Sequence, residues 1–362
     1  MIQSRKTLQQ IKPYIPGKSI QEAKAEAGLD HVVKMASNEN PLGPSVSFKD
    51  LQSELENCHL YPHQETSGLF ELLAKKYSIQ NYNLILGNGS DELIQLLAFA
   101  YLNEHDTVVT TQHTFSEYAF ITYLMNAKLI EVPTNPDYSF NFEAILKSIT
   151  TTTKLIFLAN PNNPTGLMFS HEVFVNFLKQ VPLGVIVVID EAYAEYVEDA
   201  HYPQSAALLD NFKNVVILRT FSKLYGLAGL RIGYGMAHEI IIETLKKVRP
   251  PFNVNSIALS AAKAALMAKE HIQKSLQLNH EGKAFFYKAF TELNLPYLKT
   301  EANFICFFTP ILAQDLAKQL LQKGYIVRAL TSFNLPYGIR VTIHLPEHNQ
   351  GFINALKACL NP

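Results

Sequence analysis

"LRTFSKLYGLAGLRIGYG", residues 218–235, decides how the rest of the chain is read. An apolar-leaning run, Val215 to Arg219, leads into a Thr-Phe-Ser-Lys turn. Glycines follow at 226, 229, 233 and 235, with Arg231 among them. A strand thus delivers a serine and a lysine to its end, and glycine-rich backbone brings an arginine back near them. Taken one by one, these residues have plainer uses. Lys223 fits a solvated surface lysine, the usual fate of that residue. Arg231 fits a surface ion pair, and the glycines fit turn punctuation.

Working outward, the same kind of run recurs. "NLILG" (83–87), "DTVVTT" (106–111), "AKLIEVP" (127–133), "KLIFLA" (154–159), "GVIVVID" (184–190) and "NVVILR" (214–219) read as six strands. Most of them are rich in β-branched residues and lack in/out alternation, as strands covered on both faces do. They alternate with helical segments such as the one from Asp91 through "ELIQLLAFAYL". That pattern predicts an α/β fold whose mostly parallel central sheet is flanked by helices. The last third changes character. A helical stretch from about Ser256 to Leu293 precedes "NFICFF", a helical "AQDLAKQLLQKG", "YIVRAL" and "GIRVTI". We therefore expect a large domain over 30–255 and a smaller α+β domain over 256–362. Residues 1–29 are expected to pack beside the small domain.

Composition narrows the classes. The 362 residues are 48% hydrophobic and 17% charged, with a net charge of −1. This suits a buried globular enzyme and offers no electrostatic handle for nucleic acid or a membrane surface. The three cysteines, Cys58, Cys306 and Cys359, have no metal-ligand or disulfide spacing. The first residues lack the apolar core of a signal peptide. The expectation is a soluble, cytoplasmic protein without a metal.

In an open parallel sheet, ligands bind outside the carboxyl ends of the strands. Four of the predicted strands end in polar residues: Gly87-Asn88-Gly89-Ser90 before Asp91, Asn160-Pro161-Asn162-Asn163-Pro164, Asp190-Glu191-Ala192-Tyr193, and Phe221-Ser222-Lys223. Each again has a structural use. Ser90 fits an N-cap, Asp190 fits a helix cap, and the Asn-Pro repeats fit turns. Together they match the needs of pyridoxal phosphate: an amine for its aldehyde, a carboxylate for its ring nitrogen, donors for its ring oxygen, and a helix start with an arginine for its phosphate.

At this point a resemblance covers nearly the whole chain. Residues 30–355 resemble a fold type I, pyridoxal-phosphate-dependent aminotransferase of class II, with a large and a small domain. "NPNNPTG", "DEAY" and "RTFSKLYGLAGLRIGYG" are similar to signature segments of that family. "IKPYIPGKS", "ASNENPLGPS", "LYPHQETSGLFELL", "RPPFNVNS" and "PYGIRVTI" resemble its histidinol-phosphate aminotransferase branch. The resemblance implies that Lys223 bonds the cofactor aldehyde and that Asp190 pairs with the ring nitrogen. It implies that Tyr193 and Asn163 donate to the ring oxygen. Ser222, Arg231 and the backbone of Ser90 and Asp91 would hold the phosphate. Tyr118 would stack on the ring, and Tyr61 would reach the phosphate from the other subunit of a homodimer. Arg340 would take the anionic group of the substrate, with Arg328 and Tyr14 near its phosphate end. The implied reaction moves an amino group between glutamate and imidazole-acetol phosphate, giving histidinol phosphate in histidine biosynthesis. Aromatic amino-acid transamination and a phosphothreonine decarboxylase-like reaction are the alternatives.

His63-Gln64 after Tyr61-Pro62, and His344 after "IRVTI", depart from the branch's pattern. A surface-loop histidine and a strand-end histidine are the expectations for the two. A nicotinamide dehydrogenase would need a G-x-G-x-x-G fingerprint, and a regulatory module would need a basic DNA-binding extension. Neither is present in the sequence.

Overall fold

The computed structural model describes residues 3–11 and 18–360. Seven strands form the main sheet: β2 (Leu84–Gly87), β3 (Thr107–Thr111), β4 (Lys128–Val132), β5 (Thr153–Ala159), β6 (Ile186–Asp190), β7 (Val215–Thr220) and β8 (Gly233–Ala237). Their order is β2-β8-β7-β6-β5-β3-β4. β4, β3, β5, β6 and β7 run parallel to one another, and β8 lies antiparallel to both β7 and β2. All six predicted strands are present. β8 is the addition, built from the "GYGMA" that follows the turn.

Alternation along the strands explains why both faces are apolar. Ile186 and Val188 of β6 join one core cluster, and Val187 and Ile189 join the other. Each such side chain contributes roughly 1.5–3 kcal/mol when fully buried, so a continuous apolar run is stable only with helices on both sides. Ser90–Tyr101, Glu117–Leu124 and Glu239–Val248 cover one face. Leu69–Tyr77, His171–Leu178 and Ser256–Met267 cover the other.

Ser256–Met267 is a correction to the expected division. The sequence groups it with the C-terminal domain, yet Ala258, Leu259, Ala261, Ala262 and Ala265 pack into the core of the main sheet. Its start is fixed by Asn255, whose side chain accepts from the Ala258 amide at 2.8 Å. The predicted long helix breaks at Ala268, and Lys269–Glu292 continues separately. That second helix, with Ala313–Gln322 and Pro346–Leu360, lies on a small antiparallel sheet. The small sheet has the order β11 (Arg328–Ala329), β12 (Gly338–Thr342), β9 (Phe304–Phe308). β1 (Val33–Lys34) pairs in parallel with β10 (Tyr325–Ile326). The N-terminal segment divides. Ala23 of the helix Ile20–Ala27 packs against Leu321 and Ile326 beside the small sheet. Arg5 instead donates to the Leu124 carbonyl of the main domain at 3.0 Å.

Candidate active site

The parallel register brings Ala159, Asp190 and Leu218 level with one another, so the polar segments after β5, β6 and β7 emerge at one edge. A cavity of about 280 Å³ opens there. Its lining includes Ser90, Asp91, Tyr118, Asn163, Asp190, Tyr193, Ser222, Lys223, Arg231, Arg328 and Arg340, eleven of the residues expected from sequence.

Strand alternation sorts the carboxylates of "DEAY". Asp190 follows Val188 onto the cavity side, while Glu191 follows Ile189 onto the opposite face. There Glu191 is fully buried, accepts from Arg219 Nε at 2.7 Å and is ion-paired with the same guanidinium. Arg219 also reaches Glu195 at 3.1 Å. This buried pair ties the end of β6 to the end of β7.

Asp190 accepts from the Ala192 amide at 3.2 Å and from the Tyr118 hydroxyl at 2.8 Å. Burial pushes its carboxyl up to about 6, against the Tyr118 bond, which holds it down. A carboxylate this desolvated is suited to a cationic partner.

The phosphate end is a cradle at the start of the helix Ser90–Tyr101. Gly89, with φ +81°, leads into it, and a Cβ there would strike the Arg231 guanidinium. A Cβ on Gly233 would sit 2.6 Å from the Ser90 amide nitrogen. Two glycines therefore let the strand, the helix start and the arginine converge. Arg231 donates to the Ala228 carbonyl at 3.0 Å and pairs with Asp91 at 3.1 Å. Thr220 Oγ1 accepts from the Ser222 amide, so its own proton goes to Ser222 Oγ at 3.0 Å. Ser222 Oγ also accepts from Arg231 at 3.4 Å. Its remaining proton is thus available to an anion. Lys223 Nζ donates to the Ser37 carbonyl at 3.2 Å and lies 5.6 Å from the centre of the Tyr193 ring.

From the small sheet, Arg340 is 7% exposed. It donates to Asn163 Oδ1 and to the Ala36 carbonyl. A guanidinium only donates, so Asn163 must present its oxygen there and turn its amide nitrogen away. Arg328 lies directly opposite Arg340 across the β11–β12 pair. Two like charges at such a position disfavour each other unless an anion lies between them.

Three expected residues stand differently. The Tyr118 ring is fully buried, stacked on Phe157 at 4.8 Å with 4° between planes. Its hydroxyl faces Asp190, so it has no open face for a ligand ring. This corrects the stacking role expected for it. Phe115, three residues earlier and edge-on to Tyr118, is the more open aromatic of this segment along the cavity. Tyr61 is 74% exposed, stacked on Phe252 at 4.6 Å, and its own chain does not bring it to the cavity. Tyr14 lies outside the described residues. His63 stands at the surface edge-on to Phe252, and Gln64 is buried beside Asn253. His344 meets His348, Nδ1 to Nδ1, at 2.8 Å, away from the cavity lining. Burial pushes its imidazole down to about 4. Sequence reasoning had no role for Phe115, Asn38 or Phe333, all of which line the cavity.

These residues fit pyridoxal phosphate. An anion cradle, a buried carboxylate and an amine lie around one cavity, and the glycines leave the cradle clear of side chains. No group of three or more His, Cys, Asp or Glu that could hold a metal occurs among the described residues. No helix among them is long and apolar enough to cross a membrane.

The model of the family "Aminotransferase class I and II" matches residues 30–356. Histidinol-phosphate aminotransferase of Caldicellulosiruptor saccharolyticus is 45% identical over 357 residues, covering 98% of this chain and 99% of its own. The enzyme of the same name from Moorella thermoacetica is 46% identical over 358 residues, with 98% and 92% covered. Among solved structures, histidinol-phosphate aminotransferase from Sinorhizobium meliloti in complex with pyridoxal-5'-phosphate superimposes with a TM-score of 0.89. It covers 99% of both chains at 23% identity.

Proposed function

The chain belongs to the class I and II aminotransferase family, and from that premise we propose that it is a histidinol-phosphate aminotransferase acting as a cytoplasmic homodimer. It exchanges an amino group between glutamate and imidazole-acetol phosphate, in histidine biosynthesis. The observation that carries the substrate is the 45% identity to a relative of that activity over nearly the full length of both chains.

Pyridoxal phosphate, when bound, supplies an aldehyde that takes the amino group and a protonated ring that draws electrons from the substrate carbon. Ser222, Arg231 and the amides at Ser90 and Asp91 grip its phosphate. Asp190 keeps the ring nitrogen protonated, a role its desolvated carboxylate supports. Tyr193 and Asn163 donate to the ring oxygen. Lys223, whose amine rests on the Ser37 carbonyl, would hold the aldehyde and, once the substrate's amino group had taken its place there, would be the free base that moves the proton at the substrate carbon. Arg340 takes the carboxylate of one substrate and the corresponding anionic group of the other. Arg328, opposite it, serves the phosphate end. Phe115 covers the ring in place of Tyr118.

The exposed Tyr61, with Leu60 and Phe252 beside it, supports a surface shared with a second copy. Mixing an inactive Tyr61→Ala protein with an inactive Lys223→Ala protein should restore one working site per hybrid dimer. No recovery despite proven subunit exchange would mean that one chain builds its own site.

The deciding test of substrate is a half-reaction. Purified protein loaded with cofactor is mixed with histidinol phosphate, phenylalanine, tyrosine or phosphothreonine, and the bound chromophore is followed. Histidinol phosphate should react with the highest kcat/KM. Preference for phenylalanine by a large factor would overturn the histidine-pathway assignment.

A further inference from the structure

Residues 36–38 run between the two walls of the cavity, and each meets one of its polar groups. The Ala36 carbonyl accepts from Arg340, and the Ser37 carbonyl accepts from Lys223. Asn38 Nδ2 lies 2.9 Å from the Tyr193 hydroxyl. Asn38 is 1% exposed and has φ +57°, a conformation asparagine tolerates better than most residues.

Hydrogen-bond logic fixes which way the Asn38 amide points. Its backbone N–H donates to Thr342 Oγ1 at 3.0 Å. The Thr342 hydroxyl, having accepted that bond, sends its single proton to Asn38 Oδ1 at 3.1 Å. The amide oxygen is therefore held by Thr342, and Nδ2 must face Tyr193. An amide nitrogen only donates. The Tyr193 oxygen thus accepts from Asn38, and its own proton is left for an acceptor on the cavity side. The Asn303 side chain locks the segment further by donating to the Asn38 carbonyl at 3.0 Å.

We propose that Asn38 is a positioning residue, oriented by Thr342 of the small sheet, which makes the Tyr193 hydroxyl a donor toward the ring oxygen of the cofactor. This rests on the reading that Tyr193 serves that oxygen. A donor there stabilises the oxygen's anionic form and lowers the pH at which the bound chromophore loses its proton. Asn38 therefore acts on that midpoint through Tyr193.

The test compares Asn38→Gly with Asn38→Asp. Glycine removes the amide without strain at positive φ. Aspartate keeps the shape but offers an acceptor, so the Tyr193 proton turns inward, away from the ring. The absorbance midpoint of the cofactor-loaded protein should rise by a few tenths of a pH unit in Asn38→Gly and by about one unit in Asn38→Asp. In a Tyr193→Phe background the two Asn38 variants should titrate alike. A difference that survives without the Tyr193 hydroxyl would mean the new charge acts directly, and the proposal fails. Unshifted or lowered midpoints would overturn it equally. Should the Asn38 variants misfold, Thr342→Val removes the group that orients the amide and should raise the midpoint by a smaller amount. No shift there would sink the idea. A wild-type chain that forms no chromophore with pyridoxal phosphate would overturn the cofactor reading itself, an outcome separate from identical titrations in all variants.

Discussion

The two walls of the cavity are built on different principles. The main-sheet wall takes its groups from the carboxyl ends of parallel strands: Asp190 from β6, and Ser222 and Lys223 just past β7. Each emerges from a strand buried on both faces, and the Glu191–Arg219 pair clamps two of those ends together. The small-sheet wall offers Arg328 and Arg340, neighbours across an antiparallel pair. Arg340 is steadied by two acceptors on other segments, Asn163 and Ala36. The difference teaches a division of labour. On the proposed reading, groups that would stay fixed against the cofactor stand on the larger core, and groups that would meet exchanging substrates stand on the smaller one.

Breaking the main-sheet wall should cost most. Lys223→Ala should lower turnover by at least about four orders of magnitude, because it removes both the nucleophile and the proton carrier. Borohydride reduction and peptide mapping of the wild-type protein should label Lys223. A label elsewhere would move the chemistry off this wall. Asp190→Asn should slow single-turnover proton abstraction by roughly 10²–10³-fold while leaving the fold intact, since an amide cannot hold the ring nitrogen protonated. Unchanged single-turnover rates would remove Asp190 from that role.

Breaking the small-sheet wall should cost less and should discriminate between substrates. Arg340→Lys keeps the charge and loses the planar fork. A loss of roughly 1.5–3 kcal/mol in transition-state binding, the scale of a charge-assisted hydrogen bond, should appear in kcat/KM for glutamate and histidinol phosphate alike. Arg328→Ala should hurt histidinol phosphate more than glutamate. Equal losses for both substrates would mean that the two arginines do one job together.

The walls also differ in how far the sequence reveals them. Strands β2 to β7 were legible because a strand covered on both sides carries an unbroken apolar run, and their polar ends then marked the site. β8 was not, because its glycines at 233 and 235 read as turn residues. At 233 glycine is needed because the Ser90 amide approaches too closely for a side chain. The assignment between Phe115 and Tyr118 turned on a single helix start. Tyr118 lies in the first turn of the helix Glu117–Leu124 and rotates into the core against Phe157, while Phe115 precedes that helix. Ser256–Met267 carried no mark of which core it joins, since its small apolar face suits either. Asn38 was invisible for another reason. Its partners lie 155 and 304 residues away in sequence, so no local pattern records them.

The smallest expected effect lies beneath the main-sheet wall and separates a packed tyrosine from an electrostatic one. In protein stripped of cofactor, burial holds the Asp190 carboxyl near 6, above its unfolded value of about 3.9. Between about pH 4 and 6 the native chain keeps a proton that the unfolded chain has released. The stability from this group is therefore complete below about pH 4 and is lost as pH rises through about 6. The whole loss is roughly 2–3 kcal/mol. Asp190→Asn should abolish this slope in urea unfolding measured across the range. Tyr118 stays protonated, because burial and Asp190 hold its phenol well above the usual value. It is therefore a permanent donor to the carboxylate, and it favours the charged form. Tyr118→Phe should push the Asp190 transition upward by about one pH unit, and the added destabilisation of about 1 kcal/mol should open as pH rises through about 6 to 7. A deficit of the same size at every pH would show that the tyrosine only fills space against Phe157. A deficit that grows with pH would show that its hydroxyl helps keep Asp190 ionised for the cofactor it would meet.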